Sequence, residues 1–271
     1  MNPELTMENL TAAIAAKKAE LDQLRIRVPG GTPSFDHSQD LELTYTSKAI
    51  EGNTLTAVET TMVIEQGITV AGKPLRDHLE AVDHFEAIRY VRDLARQQVA
   101  LTEMDLRNLH RLVMLRSDPE IAGRYADQGR YALTENGRHS FPSPAEIPAL
   151  MGDFSGWLGA APNTPDTAFV AHRRLVDIHP FNDGNGRTAR LLMNLVLIRG
   201  GYPPVAVRPM DRPTYIAALQ QAQAGGGTDA FNRLLYERLD ETLGETLSAF
   251  RQALPAPRTP PRSSDSGTPQ P

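Results

Sequence analysis
The chain has 271 residues, 40% of them hydrophobic and 23% charged, with a formal net charge of −5. That length supplies core for one large domain or two small ones, and the acidic balance argues against a general nucleic-acid binder, which carries a basic stripe. The absence of cysteine excludes disulfides, thiol catalysis and cysteine-ligated zinc, and fits a cytoplasmic setting.

Met1-Asn2-Pro3-Glu4-Leu5 lacks the basic and apolar regions of a signal peptide. The longest apolar run is too short to span a bilayer, so no membrane contact is expected. Leu10, Ile14, Leu21 and Leu24 mark an amphipathic helix that ends before Pro29-Gly30-Gly31. Residues 32–39 are rich in turn formers and read as a loop. A helix over about 41–52 follows, with Gly52 as its stop. Residues 58–66 look helical and Gly67 breaks them. Leu79, Val82, Phe85, Ile88, Val91 and Leu94 drift along the face of a further helix. Thr102 with Asp105 starts the next one, with Leu106, Leu109, Leu112 and Val113 apolar.

The pattern then changes. Asn136-Gly137 between short extended runs in 129–142 is a hairpin signal, read by itself as a surface hairpin. Helices resume at 147–158 and 167–178. His172 sits two turns before His179 and is read as a packing or hydrogen-bonding residue. Phe231, Leu234, Leu235, Leu239, Leu243, Leu247 and Phe250 form a last amphipathic helix, for packing on the body of the domain or for a homodimer. The Pro- and Ser-rich stretch 255–271 cannot bury a core and reads as disordered.

The most informative segment runs from Ile178 to Arg190: Ile-His-Pro-Phe-Asn-Asp-Gly-Asn-Gly-Arg-Thr-Ala-Arg. An almost wholly apolar run follows, stopped by Gly200-Gly201 and then proline, which reads as a buried central helix. The segment thus sits at a helix N-terminus, where free N–H groups and the dipole favour an anion. Gly184 and Gly186 let backbone approach a ligand and form an anion-binding hollow. Arg187 and Arg190, three apart, leave the same side of the first turn as donor forks for phosphate. Asp183 beside phosphates suits Mg²⁺. His179 can take a proton near neutral pH. Together these are the parts for attack on a phosphate ester.

The segment is similar to the core motif of the Fic (Fido) family, His-x-Phe-x-(Asp/Glu)-Gly-Asn-Gly-Arg-x-x-Arg, with every fixed position filled. The similarity extends from about Glu42 to about Phe250. It implies an all-α, mainly helical Fic fold with one short β-hairpin flap, divided into an N-terminal helix and loop (1–40), a Fic domain (41–254) and the tail. It also implies transfer of AMP from ATP to a Ser, Thr or Tyr hydroxyl of a target protein, with release of pyrophosphate. By resemblance His179 is the base and Asp183 holds Mg²⁺. Gly184, Asn185 and Gly186 line the anion hollow, with the Asn185 amide contributing, and Arg187 and Arg190 clamp the β- and γ-phosphates. Phe181 anchors the loop in the core, and the hairpin aligns the target by strand addition. Tyr202 and Tyr215 fall where the family builds its adenine pocket.

Ser47-Lys48-Ala49-Ile50-Glu51-Gly52 reads alone as a helix end. It resembles the family's inhibitory motif, (Ser/Thr)-x-x-x-Glu-(Gly/Asn), in the class that carries this helix N-terminal to the core. There the glutamate pairs with the second motif arginine, here Arg190, and obstructs the γ-phosphate. The same residues also serve a hydrolase that removes AMP, or a nucleotide-sensing module with little turnover.

Overall fold
The computed structural model describes residues 6–97, 99–134 and 137–254. The first five residues, Asn136 of the hairpin turn and the tail at 255–271 lie outside them.

Helix α1 (Met7–Arg27) starts at Thr6, whose hydroxyl accepts the Asn9 N–H, and buries Leu10, Ile14, Leu21 and Leu24. Helix α2 (Pro33–Ile50) begins earlier than its apolar pattern suggests. The loop expected at 32–39 is in fact its first turns. Pro33 sits at the start, where a missing N–H costs nothing, and Asp36 complements the dipole there. Helix α3 (Ala57–Gln66) is bounded by a Thr56–Glu59 capping box and a left-handed Gly67. Helices α4 (Leu75–Arg96) and α5 (Glu103–Val113) follow, the latter with the Thr102–Asp105 box.

Strands β1 (Tyr131–Thr134) and β2 (Gly137–Ser140) form an antiparallel hairpin in which Thr134 faces Gly137. Gly137 therefore opens the second strand instead of sitting at the centre of the turn. Helices α6 (Ile147–Ala160), α7 (Pro165–Ile178), α8 (Asn185–Arg199), α9 (Arg212–Gln223) and α10 (Asp229–Gln252) complete the chain. Among the described residues the fold is mainly helical with this one hairpin, and no helix is long and apolar enough to cross a membrane.

Helix α8 is the axis of the core and packs against α7, α4, α5 and α2. Every residue from Arg187 to Leu197 is buried. Its polar interruption, Asn194, is satisfied: Oδ1 accepts the Val205 N–H at 2.7 Å and Nδ2 donates to the Val205 carbonyl at 3.1 Å. Helices α1 and α10 pair with each other, so the apolar side of α10 is spent on packing. Wrapping α8 on several sides fixes its N-terminus, which matters for everything built there.

Truncation in the axis is expected to cost far more than truncation outside it. Leu192→Ala, at a site 0% exposed, should lower the unfolding free energy by about 2–5 kcal/mol. Val58→Ala, 70% exposed, should change it by less than about 0.5 kcal/mol. Chemical denaturation of both variants measures the contrast.

Candidate active site
Helix α7 ends at His179, the one non-glycine residue with positive φ among those described, at 50°. A left-handed imidazole-bearing residue costs about 1–3 kcal/mol and is held only where surroundings over-determine it. Here the His179 N–H donates to the Leu175 carbonyl at 2.9 Å, and the Pro180 carbonyl accepts the Ala126 N–H at 2.9 Å. Phe181 is 0% exposed and anchors the loop. Gly184 caps α8 at φ 75°, and an added Cβ would meet Met114 Sδ at 2.9 Å and His110 Nε2 at 3.1 Å. Only glycine fits there, on conformation and on space.

No side chain caps α8, so its first N–H groups open onto a cavity of about 360 Å³. Glu51, His179, Asp183, Gly184, Asn185, Gly186 and Arg187 line it. The His179 Nδ1 lies 3.3 Å from the Val176 carbonyl, which can only accept. The proton therefore sits on Nδ1 and Nε2 keeps its lone pair. The ring stacks on Phe141, just past the hairpin, at 3.9 Å and 12°. Burial pushes the His179 pKa down to about 4, so the imidazole is a neutral base at pH 7.

Asp183 Oδ1 accepts the Gly184 N–H at 2.6 Å, and Oδ2 accepts from Arg76 at 3.0 Å. Burial raises its pKa, but Arg187, the Gly184 N–H and Arg76 outweigh it and hold the carboxyl below its ordinary value. Arg187, 4% exposed, has Asp183 Oδ1 at 3.3 Å and Glu80 Oε1 at 3.5 Å. Its Nε and Nη1 have no hydrogen-bond partner among the described residues. Lys48 is buried nearby with an unpartnered Nζ, and burial pulls its pKa to about 8. Arg187 thus brings to the cavity donor nitrogens that lack hydrogen-bond acceptors, which suits a phosphate.

Arg190, also 4% exposed, is differently placed. Its Nε donates to Ser47 Oγ at 2.9 Å, and Nη2 donates to the Ser47 carbonyl at 2.8 Å and to Glu51 Oε1 at 2.7 Å. Glu51 ends α2, and Gly52 at φ 93° turns the chain away behind it. The Glu51 carboxylate lies over the glycine turn: a Cβ on Gly186 would sit 2.6 Å from Oε1.

Two expected contacts differ. Asn185 was expected to offer its amide to an anion, but the structure bonds Oδ1 to the Phe181 N–H at 3.0 Å and Nδ2 to the Phe181 carbonyl at 2.8 Å. Its side chain shapes the loop. Tyr215 was expected near the adenine, yet it is 1% exposed, packed against His172 and Phe231, with its hydroxyl 2.8 Å from His172 Nε2. A ring enclosed in this way presents no free face for a base. Arg76, Glu80, Lys48, His110 and Phe141 are neighbours of the site that the motif does not name.

This left-handed histidine, glycine-capped buried helix and pair of buried arginines define the Fic type of helical domain. Residues 100–197 match the model of the Fic/DOC family, and the chain belongs to that family. It is 39% identical over 186 residues to "Protein adenylyltransferase Fic" of Nematostella vectensis, across 67% of this chain and 43% of that one. It is 34% identical over 245 residues to the protein of that name in Drosophila willistoni, across 87% and 47%. The chain thus spans less than half the length of these curated relatives. A Fic domain containing signaling protein from Bacteroides thetaiotaomicron superposes with TM-score 0.82 at 29% identity, covering 89% of this chain and 97% of that one. Fic-1 from C. elegans gives 0.73 at 28%, covering 90% and 74%.

Burial also fixes a stability prediction. His110 and His179 are held near pKa 4 and His172 near 3, chiefly by burial. Their folded values lie below the unfolded value of about 6.5, so between those limits the unfolded chain binds more protons. Their stabilisation is complete above about pH 6.5 and is lost as pH falls toward 4, by up to about 1.4 kcal/mol per pH unit per histidine. Denaturant midpoints from pH 7 to 4.5 should fall, and His172→Gln should flatten the slope.

Proposed function
We propose that this chain is a self-inhibited protein adenylyltransferase. The observation that carries the reading is the Glu51–Arg190 ion pair at 2.7 Å, laid across a glycine turn beside a neutral imidazole. The relatives' shared name, adenylyltransferase, supports the same chemistry.

The substrate is ATP. Its phosphates enter the N-terminal hollow of α8, where backbone N–H groups and Arg187 receive them. His179 Nε2 takes the proton of a Ser, Thr or Tyr hydroxyl on the target protein. The oxygen of that hydroxyl forms a bond to the α-phosphorus, the bond from that phosphorus to the bridging oxygen breaks, and pyrophosphate leaves. The target lies along the hairpin, where Tyr131 and Leu133 are exposed at alternate positions of β1, and the Phe141 stack ties the hairpin to the base.

Asp183 fits Mg²⁺: its carboxylate is ionised, 48% exposed and beside the hollow. No group of three metal-binding side chains exists among the described residues, which agrees with a cation that completes its shell with phosphate oxygens and water. When bound, Mg²⁺ would neutralise charge on the phosphates.

Glu51 is the inhibitor. A triphosphate that reaches Arg190 must displace its carboxylate. Two unit charges about 4 Å apart interact by roughly 4 kcal/mol at an effective dielectric of 20. Desolvation removes part of this, leaving a bias of about 1–3 kcal/mol, or about 5-fold to 150-fold.

Mass spectrometry of Glu51→Gly incubated with ATP and Mg²⁺ tests the reading. A gain of one AMP unit on a side chain of the chain or its target is expected, and ATP that stays intact under all conditions contradicts it. His179→Ala in that background should abolish transfer while ATP binding stays within a few fold. Because burial holds the base near pKa 4, the acid limb of kcat/KM should lie near pH 4. A limb near 6.5 would show that burial does not depress the imidazole in the working enzyme.

A further inference from the structure
Behind the loop, on α5, His110 is fully buried and has no part in the chemistry described above. Its ring lies flat on Phe181, with centroids 3.7 Å apart and planes 1° from parallel. The Gly123 N–H donates to Nδ1 at 3.0 Å. An amide N–H can only donate, so the proton of the neutral ring is on Nε2. That nitrogen lies 3.0 Å from the Asp183 carbonyl oxygen, which can only accept. The two partners select one tautomer.

The Asp183–Gly184 peptide is therefore held at both ends. Its carbonyl is taken by His110, and its N–H donates to Asp183 Oδ1 at 2.6 Å. A peptide plane rotates as one unit, so pinning the carbonyl pins the N–H. The N–H in turn fixes Oδ1 and leaves Oδ2 to face outward, where Arg76 now meets it. On its C-terminal side Gly184 is held by Thr188, whose N–H and hydroxyl donate to the Gly184 carbonyl at 3.0 and 2.8 Å; on its N-terminal side the His110 bond is what fixes the peptide plane, because Gly184 has no side chain and the widest backbone freedom.

We propose that His110 is a positioning residue for phosphate binding: its Nε2–H sets the Asp183–Gly184 peptide plane, and so aims the Asp183 carboxylate and the head of α8 at the ligand. The assignment rests on the proposed nucleotide site. It separates the two bonds of His110, since the Gly123 bond only holds the ring, whereas the Asp183 bond sets the loop.

Two variants in the Glu51→Gly background divide those bonds. His110→Gln places an amide N–H near the Nε2 position and keeps a donor for the Asp183 carbonyl. His110→Asn keeps an acceptor for Gly123 and cannot reach Asp183. Both lose the stack on Phe181, so a merely structural role would move them together. Calorimetric titration with ATP and Mg²⁺ should give the Gln variant a Kd within about threefold of its parent and the Asn variant one at least tenfold weaker, at comparable melting temperatures. Equal affinities would overturn the assignment.

A second measurement needs no substitution. In ¹⁵N spectra of the Glu51→Gly protein, His110 should show a protonated Nε2 and an unprotonated Nδ1. Saturating ADP with Mg²⁺ should shift Nε2 and leave Nδ1 in place, and an unmoved Nε2 would overturn the proposal. Should the Glu51→Gly parent bind no nucleotide at all, the site reading falls, and the role of His110 with it.

Discussion

A guanidinium inside a protein core must meet an anion. Arg190 lies in the first turns of a helix enclosed by four others, with 4% of its surface exposed. Leaving such a charge bare costs about 3–5 kcal/mol, more than most single contacts supply. Helix α8 cannot carry the arginine to solvent, so the variable is which anion comes to it. Ser47 supplies two acceptors and Glu51 the charge. In the proposed function a terminal phosphate replaces that carboxylate, and the two exclude each other because they claim the same donor. The arrangement is lopsided: Arg190 is buried along α8, while the Glu51 side chain is 42% exposed at the C-terminal end of its helix. Of the two, Glu51 is the easier partner to move.

The other motif arginine obeys the same constraint with a different outcome. Arg187 has two carboxylates in reach at 3.3 and 3.5 Å, yet two of its nitrogens lack hydrogen-bond partners among the described residues. Lys48 lies beside it, buried, with its ammonium unpartnered. One arginine is satisfied by the end of α2 and the other waits. Around them the backbone is bent to suit: a left-handed histidine, a left-handed glycine with no room for a Cβ, and an asparagine whose amide ties the turn to Phe181. Strain of this kind persists because α7 and α8 are packed along their lengths and only the corner between them is irregular.

Helix positions were largely legible because the apolar period and the capping residues agree, as at Thr56–Glu59 and Thr102–Asp105. The first half of α2 was not. Thr32, Pro33, Ser34 and Asp36 have turn composition, and proline at a helix start looks the same in sequence as proline in a loop. The motif residues were legible because they share one short segment. Arg76, Glu80, Lys48 and His110 were not, because their partners lie many residues away: 107 for the Arg76–Asp183 bond and 73 for His110–Asp183. One clue existed. His110 follows Leu106 by four residues, a polar side chain on the buried face of α5. Tyr215 was misplaced for the opposite reason, since an aromatic near a site resembles a base-stacking wall in sequence, and only its burial to 1% exposure shows otherwise.

In the proposed function Glu51 and the outermost phosphate compete for Arg190. Calorimetry of wild type and Glu51→Gly with ATP and with ADP, both with Mg²⁺, tests it most directly. Losing the carboxylate should tighten ATP by tenfold or more and ADP by much less, since ADP has no phosphate to place there. An equal gain for both nucleotides, or none for either, would contradict it.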